Sequence, residues 1–362
     1  MSKIAIFAPE MHKPFIEGIQ KSAWAVSTEL SKIVPEVLVV SQCSYGEPLE
    51  PIAGLNIFYY LNSGKIRLIK YLTWIGDGFR VLKFFKKNEI DLVLVFSLDW
   101  SFLFSLCWLV FFNKNIRVRV MIFSTRETSG IGGFWIRLFH GRLDHIFTRT
   151  LYLKNQLIKM GVEASKITVA TVLPNKKIFL ENLSTAKDLP VIKTIAYLSN
   201  PDTSAGVNIV IELAQRLSDL KIIIALRKFS EREEGAVQNL ISSVKKIGIE
   251  NIEFRRNIDN MVKFYQEVDA VIMPALDENN TMSAPLVLLE AFVSNTPVFL
   301  TDLPVFKEFE KQVFLYKDVQ ELQALIEVNS QGSELLNEKI SEAKKYGDNL
   351  LDEEGVASLY IN

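Results

Sequence analysis

Apolar residues along the chain gather in short runs, separated by stretches in which they recur at every third or fourth position. Lys3-Ile-Ala-Ile-Phe7, Val37–Ser41, Asp91–Phe96 and Arg117–Phe123 have the length and content of buried strands. Helical spacing predicts helices near Lys21–Lys32 and over Ile66–Lys87, and the apolar stretch Trp100–Phe112 reads as a buried or surface-seated helix. Loops are expected through Gly18, after the first strand, and at Gly130–Gly133. Strand, helix and strand in repetition predict a parallel sheet with helices on both faces.

The rhythm restarts at the strand Thr194–Leu198 and runs through a helix at Val207–Ser218, the strand Lys221–Leu226, a long helix near Glu233–Ile247 and the strand Ile252–Phe254. Met261–Glu267, Ala270–Met273, Pro285–Val293, Val298–Leu300 and a short helix around Pro304–Glu310 follow. Between the two halves Asn182–Lys193 is polar and turn-rich, as a linker should be. A chain of 362 residues suits two domains. The expected architecture is α/β, with two doubly wound, Rossmann-like domains over 1–182 and 183–340 and a C-terminal helical segment over 341–362.

Composition narrows the class without naming a chemistry. Hydrophobic residues at 49%, charged residues at 23% and only 12 prolines are ordinary globular usage, which argues against disorder and fibrous structure. The two cysteines, Cys43 and Cys107, lie in no metal-ligand spacing, and His12, His140 and His145 are scattered, so no metal site is expected and a reducing cytoplasm is the default. Met1-Ser2-Lys3 leads into a run better suited to a strand than to a secretory segment. Trp100–Phe112 has 13 residues, whereas a spanning helix needs about 20.

Charge is divided unevenly. Residues 1–180 hold 23 Lys and Arg against 13 Asp and Glu, a balance of +10, and the remainder carries −11. The first half is therefore expected to meet an anionic surface. Over Lys65–Lys87, Leu68, Leu72, Ile75, Phe79 and Leu82 follow helical spacing, with Arg80, Lys83, Lys86 and Lys87 supplying charge. Such a helix is either an interfacial element or an ordinary domain helix interrupted near Gly76-Asp77-Gly78. Peripheral contact with an anionic membrane is the preferred reading; no recognised module accompanies the basic residues, so nucleic acid is not expected as a partner.

In doubly wound sheets ligands bind beyond the carboxyl ends of the strands. The segment Asp269–Asp302 reads as strand, loop, helix and strand. Pro285 suits the first turn of that helix, which leaves the backbone donors around Ser283–Val287 open to an anion. Glu290 stands among Leu286, Val287, Leu288, Leu289, Ala291 and Phe292, where a carboxylate either binds a ligand hydroxyl or faces solvent.

Asp269-Ala-Val-Ile-Met-Pro274, Leu286-Val-Leu-Leu-Glu-Ala291, Thr296-Pro-Val298 and Asp302 together resemble the C-terminal domain of the GT-B glycosyltransferases, the retaining family called family 4 or group 1. Looser similarity covers Lys3–Phe7 with Gly18, and Ser165–Val169 with Leu173-Pro-Asn175 and Phe179. The resemblance implies transfer of a sugar from a nucleotide-diphosphate donor to a glycan or polyprenyl-linked acceptor, with retention, no obligatory metal and no resident cofactor. It also implies that the first domain is the acceptor side and that the C-terminal segment packs back towards it.

Carried onto this sequence, the family pattern makes Glu290 the second glutamate of the E-x7-E motif, a hydrogen-bond partner of the donor ribose. Gly18, Ser199, Met282, Ser283, Ala284, Pro285 and Leu286 fall at donor-contacting positions. The sequence also departs from the pattern. Met282 replaces the first glutamate, and Ser199–Gly206 lacks the arginine and lysine that hold the diphosphate. Arg227, after one strand, and Arg255, after another, are the candidate substitutes, Arg227 being preferred as a catalytic cation beside Glu290. Asp99 and Glu127 follow first-domain strands and are candidates to orient an acceptor hydroxyl. The competing readings are a catalytically degenerate GT-B subunit that binds a nucleotide sugar without turnover, and a nucleotide-sugar epimerase on the same fold.

Overall fold

The structure, a computed structural model, describes residues 3–8, 11, 18–42, 52–60, 81–96, 98, 106–107, 109–111, 115–182, 191–199, 206–226, 231–256 and 258–362. The chain forms two compact units, Met1–Asn175 with Leu351–Asn362, and Lys176–Leu350. The divisions therefore fall at 175/176 and 350/351, against the expected 182/183 and 340/341.

The first unit is built on seven parallel strands: β1 (Lys3–Ala8), β2 (Val37–Gln42), β3 (Leu55–Tyr60), β4 (Ile90–Phe96), β5 (Arg117–Ile122), β6 (His145–Thr148) and β7 (Ile167–Val169). Their spatial order is β3-β2-β1-β4-β5-β6-β7. Parallel strands covered on both faces need continuous apolar runs, and Ile4–Ala8 and Leu92–Phe96 are buried throughout. Around the sheet lie α1 (Gly18–Ile33), α2 (Thr125–Thr128), α3 (Gly130–Phe139) and α4 (Leu151–Lys159). The basic helix expected over Ile66–Lys87 is described only from residue 81, and most of Trp100–Phe112 lies outside the described residues.

Gly130–Gly133 is not the loop expected from its glycines: it opens α3. The reason is steric. A Cβ on Gly132 would stand 2.4 Å from the Glu127 carbonyl oxygen, and one on Gly133 would stand 2.3 Å from that of Thr128. Glycine lets α3 fold back against α2 at backbone distance.

The second unit holds α5 (Lys176–Asn182), β8 (Thr194–Ser199), α6 (Val207–Arg216), β9 (Lys221–Leu226), α7 (Glu231–Lys246), β10 (Ile252–Arg256), α8 (Met261–Glu267), β11 (Ala270–Met273), α9 (Leu286–Val293), β12 (Val298–Thr301), β13 (Phe314–Tyr316), α10 (Val319–Asn329) and α11 (Glu334–Asp348). Its six strands run parallel in the order β10-β9-β8-β11-β12-β13. Asp269 secures the amino end of β8 by accepting the amides of Lys193 and Thr194 at 2.9 and 2.8 Å.

After α11, which packs on α9 in the second unit, the chain rejoins the first. Leu351 exchanges backbone hydrogen bonds with Thr171 and Leu173, and α12 (Glu353–Ile361) lies on α1. Arg119 is buried, pairs with Asp144 at 2.5 Å and donates to the Tyr360 carbonyl at 2.7 Å. Thus only the last twelve residues return to the first unit, not the whole of the expected segment 341–362.

Gly133→Ala is expected to lower unfolding free energy by about 2 kcal/mol through overpacking, while Gly141→Ala, which meets nothing within 4 Å, changes it by less than about 0.5 kcal/mol. Urea denaturation of both variants measures the contrast.

Candidate active site

The strand order of the second sheet reverses between β8 and β11, so these neighbours carry their following helices to opposite faces and leave a crevice at their carboxyl ends. Residues 200–205 lie outside the described residues, and the chain reappears at Gly206, the N-cap of α6, with φ at +83°. A Cβ at Gly206 would stand 1.8 Å from the carbonyl oxygen of Pro274, which follows β11. Only glycine permits both this backbone conformation and this approach. The start of α6 is thereby drawn onto the exit of β11.

From Pro274 the loop passes through a short turn at Glu278–Asn280 to the start of α9. Asp277 caps that turn by accepting the Asn279 amide at 3.0 Å. Ser283 and Ala284 are fully buried and anchor the loop, whereas Met282, Pro285 and Leu286 are half-buried. Pro285 sits at the N-cap, one position before the first turn where the sequence placed it, and its carbonyl accepts the amides of Leu288 and Leu289 at 3.1 and 3.3 Å. The first amides of α9, those of Leu286 and Val287, have no acceptor within the helix.

Glu290 follows Leu286 by four positions, hence on the same helix face and about 6 Å further along. It is 8% exposed, so it does not face solvent. The phenol of Tyr265, on α8, lies 3.2 Å from Glu290 Oε2 and 3.0 Å from the Val287 carbonyl oxygen, both of which can only accept. Burial first, then the charge and hydrogen bond of Glu290, push the Tyr265 phenol well above its usual range. The hydroxyl therefore stays protonated and holds one oxygen of the carboxylate in place. Sequence reading overlooked Tyr265, although its spacing with Val262 and Val268 marks it as inward-facing on a helix.

The cationic candidates that the structure describes are engaged elsewhere. Arg255 does not follow a strand; it lies within β10, at the sheet edge, where it bonds Glu253 and Glu267 and covers the Phe264 ring at 5.9 Å. Arg256 bonds Glu234 at 2.7 Å. Both guanidinium groups are thus committed to carboxylates. Arg227 lies outside the described residues, as do His12 and Asp99. Ser199 ends β8, at the crevice, and Gly18 begins α1 in the first unit.

Glu127 is buried, and backbone groups engage both its oxygens: Oε1 accepts the Leu98 amide at 2.9 Å, and Oε2 accepts those of Phe123 and Ser124 at 2.6 and 3.0 Å. Instead of orienting an acceptor, it ties the exits of β4 and β5 together. His145 bonds the Thr168 hydroxyl at 2.8 Å, a contact between adjacent strands. Among the described residues no three metal-ligating side chains gather, and no helix is long and apolar enough to cross a membrane.

Residues 192–328 match the family model described as Glycosyl transferases group 1. No curated protein matches the chain. Among solved structures, a glycosyltransferase from Rickettsia africae is similar over 99% of this chain and 97% of its own, with 14% identity and a TM-score of 0.72. Sucrose-phosphate synthase from Thermosynechococcus elongatus is similar over 99% and 97%, with 13% identity and a TM-score of 0.78. HepE from Anabaena, solved in complex with UDP and glucose, is similar over 100% and 98%, with 14% identity and a TM-score of 0.70. The fold is that of the GT-B enzymes. The second unit carries a domain that matches the group 1 glycosyltransferases, and the protein is a glycosyltransferase.

Tyr265→Phe removes the donor from a buried carboxylate and is expected to lower stability by about 1–3 kcal/mol, read from the urea midpoint. The wild-type enzyme should lose stability as pH rises above about 10, because unfolding lets the tyrosine release a proton that the native fold retains. A thermal midpoint that falls between pH 9 and 11, and falls less in Tyr265→Phe, is the expected result.

Proposed function

We propose that this enzyme moves a sugar from a nucleoside-diphosphate donor to a glycan or polyprenyl-linked acceptor, retaining the anomeric configuration and requiring no metal, at the cytoplasmic face of a membrane. One geometry carries the donor assignment. The open amides at the start of α9 and the anchored carboxylate of Glu290 share a helix face one turn apart, and a nucleoside diphosphate presents an anionic diphosphate directly beside ribose hydroxyls. HepE, solved with UDP and with UDP-glucose, supports the donor class.

In this reading the amides of Leu286 and Val287, beside the loop Met282–Pro285, receive the diphosphate, and Glu290 accepts a hydrogen bond from the ribose. The dipole of a helix terminus contributes about 0.3–1 kcal/mol towards an anion, and a charged hydrogen bond about 1.5–3 kcal/mol. A preorganised group facing the charge of a departing diphosphate is worth about 2.7–4 kcal/mol. The helix end alone is too weak for that step. Since Arg255 and Arg256 are bound to carboxylates, Arg227 remains the sequence candidate for the missing cation.

The acceptor hydroxyl would bond to the anomeric carbon on the face from which the diphosphate leaves. As the carbon–oxygen bond to phosphate breaks, its electron pair passes to the diphosphate, and the freed oxygen takes the acceptor proton. No protein base is then needed, and the configuration is kept.

Equilibrium binding and turnover of labelled UDP- and GDP-sugars test the proposal. Glu290→Ala is expected to weaken donor binding by about 10- to 100-fold, and Arg227→Ala to lower turnover more than binding, with chelators leaving the rate unchanged. Turnover untouched by either substitution would refute the site. Binding without turnover under any acceptor condition would assign the protein as a degenerate subunit, and interconversion of the donor sugar would assign an epimerase.

A further inference from the structure

We infer that the outer face of α3 is the surface by which the first unit seats on an anionic lipid leaflet. The inference rests on the membrane part of the reading above and names a different element from the basic helix of the sequence.

Apart from the exposed Arg137, the helix is apolar all round. Its inner side, Gly132, Gly133, Trp135, Ile136 and Phe139, is buried. On its outer side Ile131, Phe134 and Leu138, spaced by three and four, are 41%, 63% and 59% exposed. A helix of this pattern ordinarily lies inside a core or against a second apolar phase. Beside it Phe111 is half exposed, packs edge-on against Phe139 at 5.1 Å and lies under the Arg142 guanidinium at 5.3 Å.

Along the chain through this face the free charge has one sign. Arg126, Arg137 and Arg142 are exposed, and the sequence from Thr128 to Leu143 contains no acidic residue. Of the two flanking acids, Glu127 is buried on backbone amides and Asp144 is paired with Arg119. Apolar side chains flanked by guanidinium groups match the acyl boundary and phosphates of an anionic leaflet. The same charge disfavours a second copy as occupant, because a two-fold contact would set like cations against each other.

The test is sedimentation of the full chain with vesicles of phosphatidylcholine alone and with equal parts phosphatidylglycerol, at low and high salt. Wild type should bind the anionic vesicles only, salt-sensitively. Phe134→Ser with Leu138→Ser should weaken this at least tenfold while leaving thermal unfolding and nucleotide binding unchanged. Phe134→Trp should add an emission that shifts to the blue on anionic vesicles. Normal sedimentation of the double variant, or unchanged emission, overturns the α3 surface and leaves membrane contact standing through another element. No sedimentation of wild type overturns both, and nucleotide binding remains the separate measure of the donor site. Self-association that the double variant abolishes would overturn the lipid assignment in favour of a second copy.

Discussion

The approach of Gly206 to the carbonyl of Pro274 is the constraint from which the site follows. Both residues leave the sheet at its switch point, and their closeness fixes the start of α6 against the exit of β11. A side chain at Gly206 would push these apart, and with them the loop that leads to α9. Parallel strands deliver all their exits to one edge, but only at this reversal do two adjacent exits leave space for a ligand. The fold therefore chooses the place before any reactive side chain is considered.

At that place the proposed donor contact depends on holding one carboxylate still. Glu290 is buried, so its oxygens need donors from within the protein. Tyr265 supplies one, a phenol too deeply buried to ionise at ordinary pH. The contrast with Glu127 is instructive. Both are buried glutamates near strand exits, yet Glu127 gives its oxygens to backbone amides, whereas Glu290 meets a side chain on a separate helix.

Much of the architecture was readable because parallel strands buried on both faces are mostly apolar, and β1, β2, β4, β8, β9, β11 and β12, and β5 despite its arginines, all announce themselves that way. The strands missed, β3, β6, β7 and β13, are short or interrupted by polar residues: His145-Ile-Phe-Thr148 and Phe314-Leu-Tyr316 are too brief for any period to show. Gly130–Gly133 misled because glycine signals both a loop and a close helix contact, and sequence alone does not separate the two. For the candidate site, the helix that carries Glu290 and the place of its terminus were legible from the motif. Tyr265 was not, because a residue that orients another is recognised only by the distance between them. Arg255 looked available for the converse reason: its partners Glu253 and Glu267 are brought to it by strand and helix packing.

The chain visits the first unit twice, and the second unit lies between those visits. Its own ends are held together, since the Lys176 ammonium donates to the carbonyls of Asp348 and Leu350, each at 2.7 Å. During synthesis, then, the first 175 residues emerge with their sheet strands in hand but without the helix that covers α1 and receives Arg119. The cover over α1 is therefore made only after the whole of the second unit.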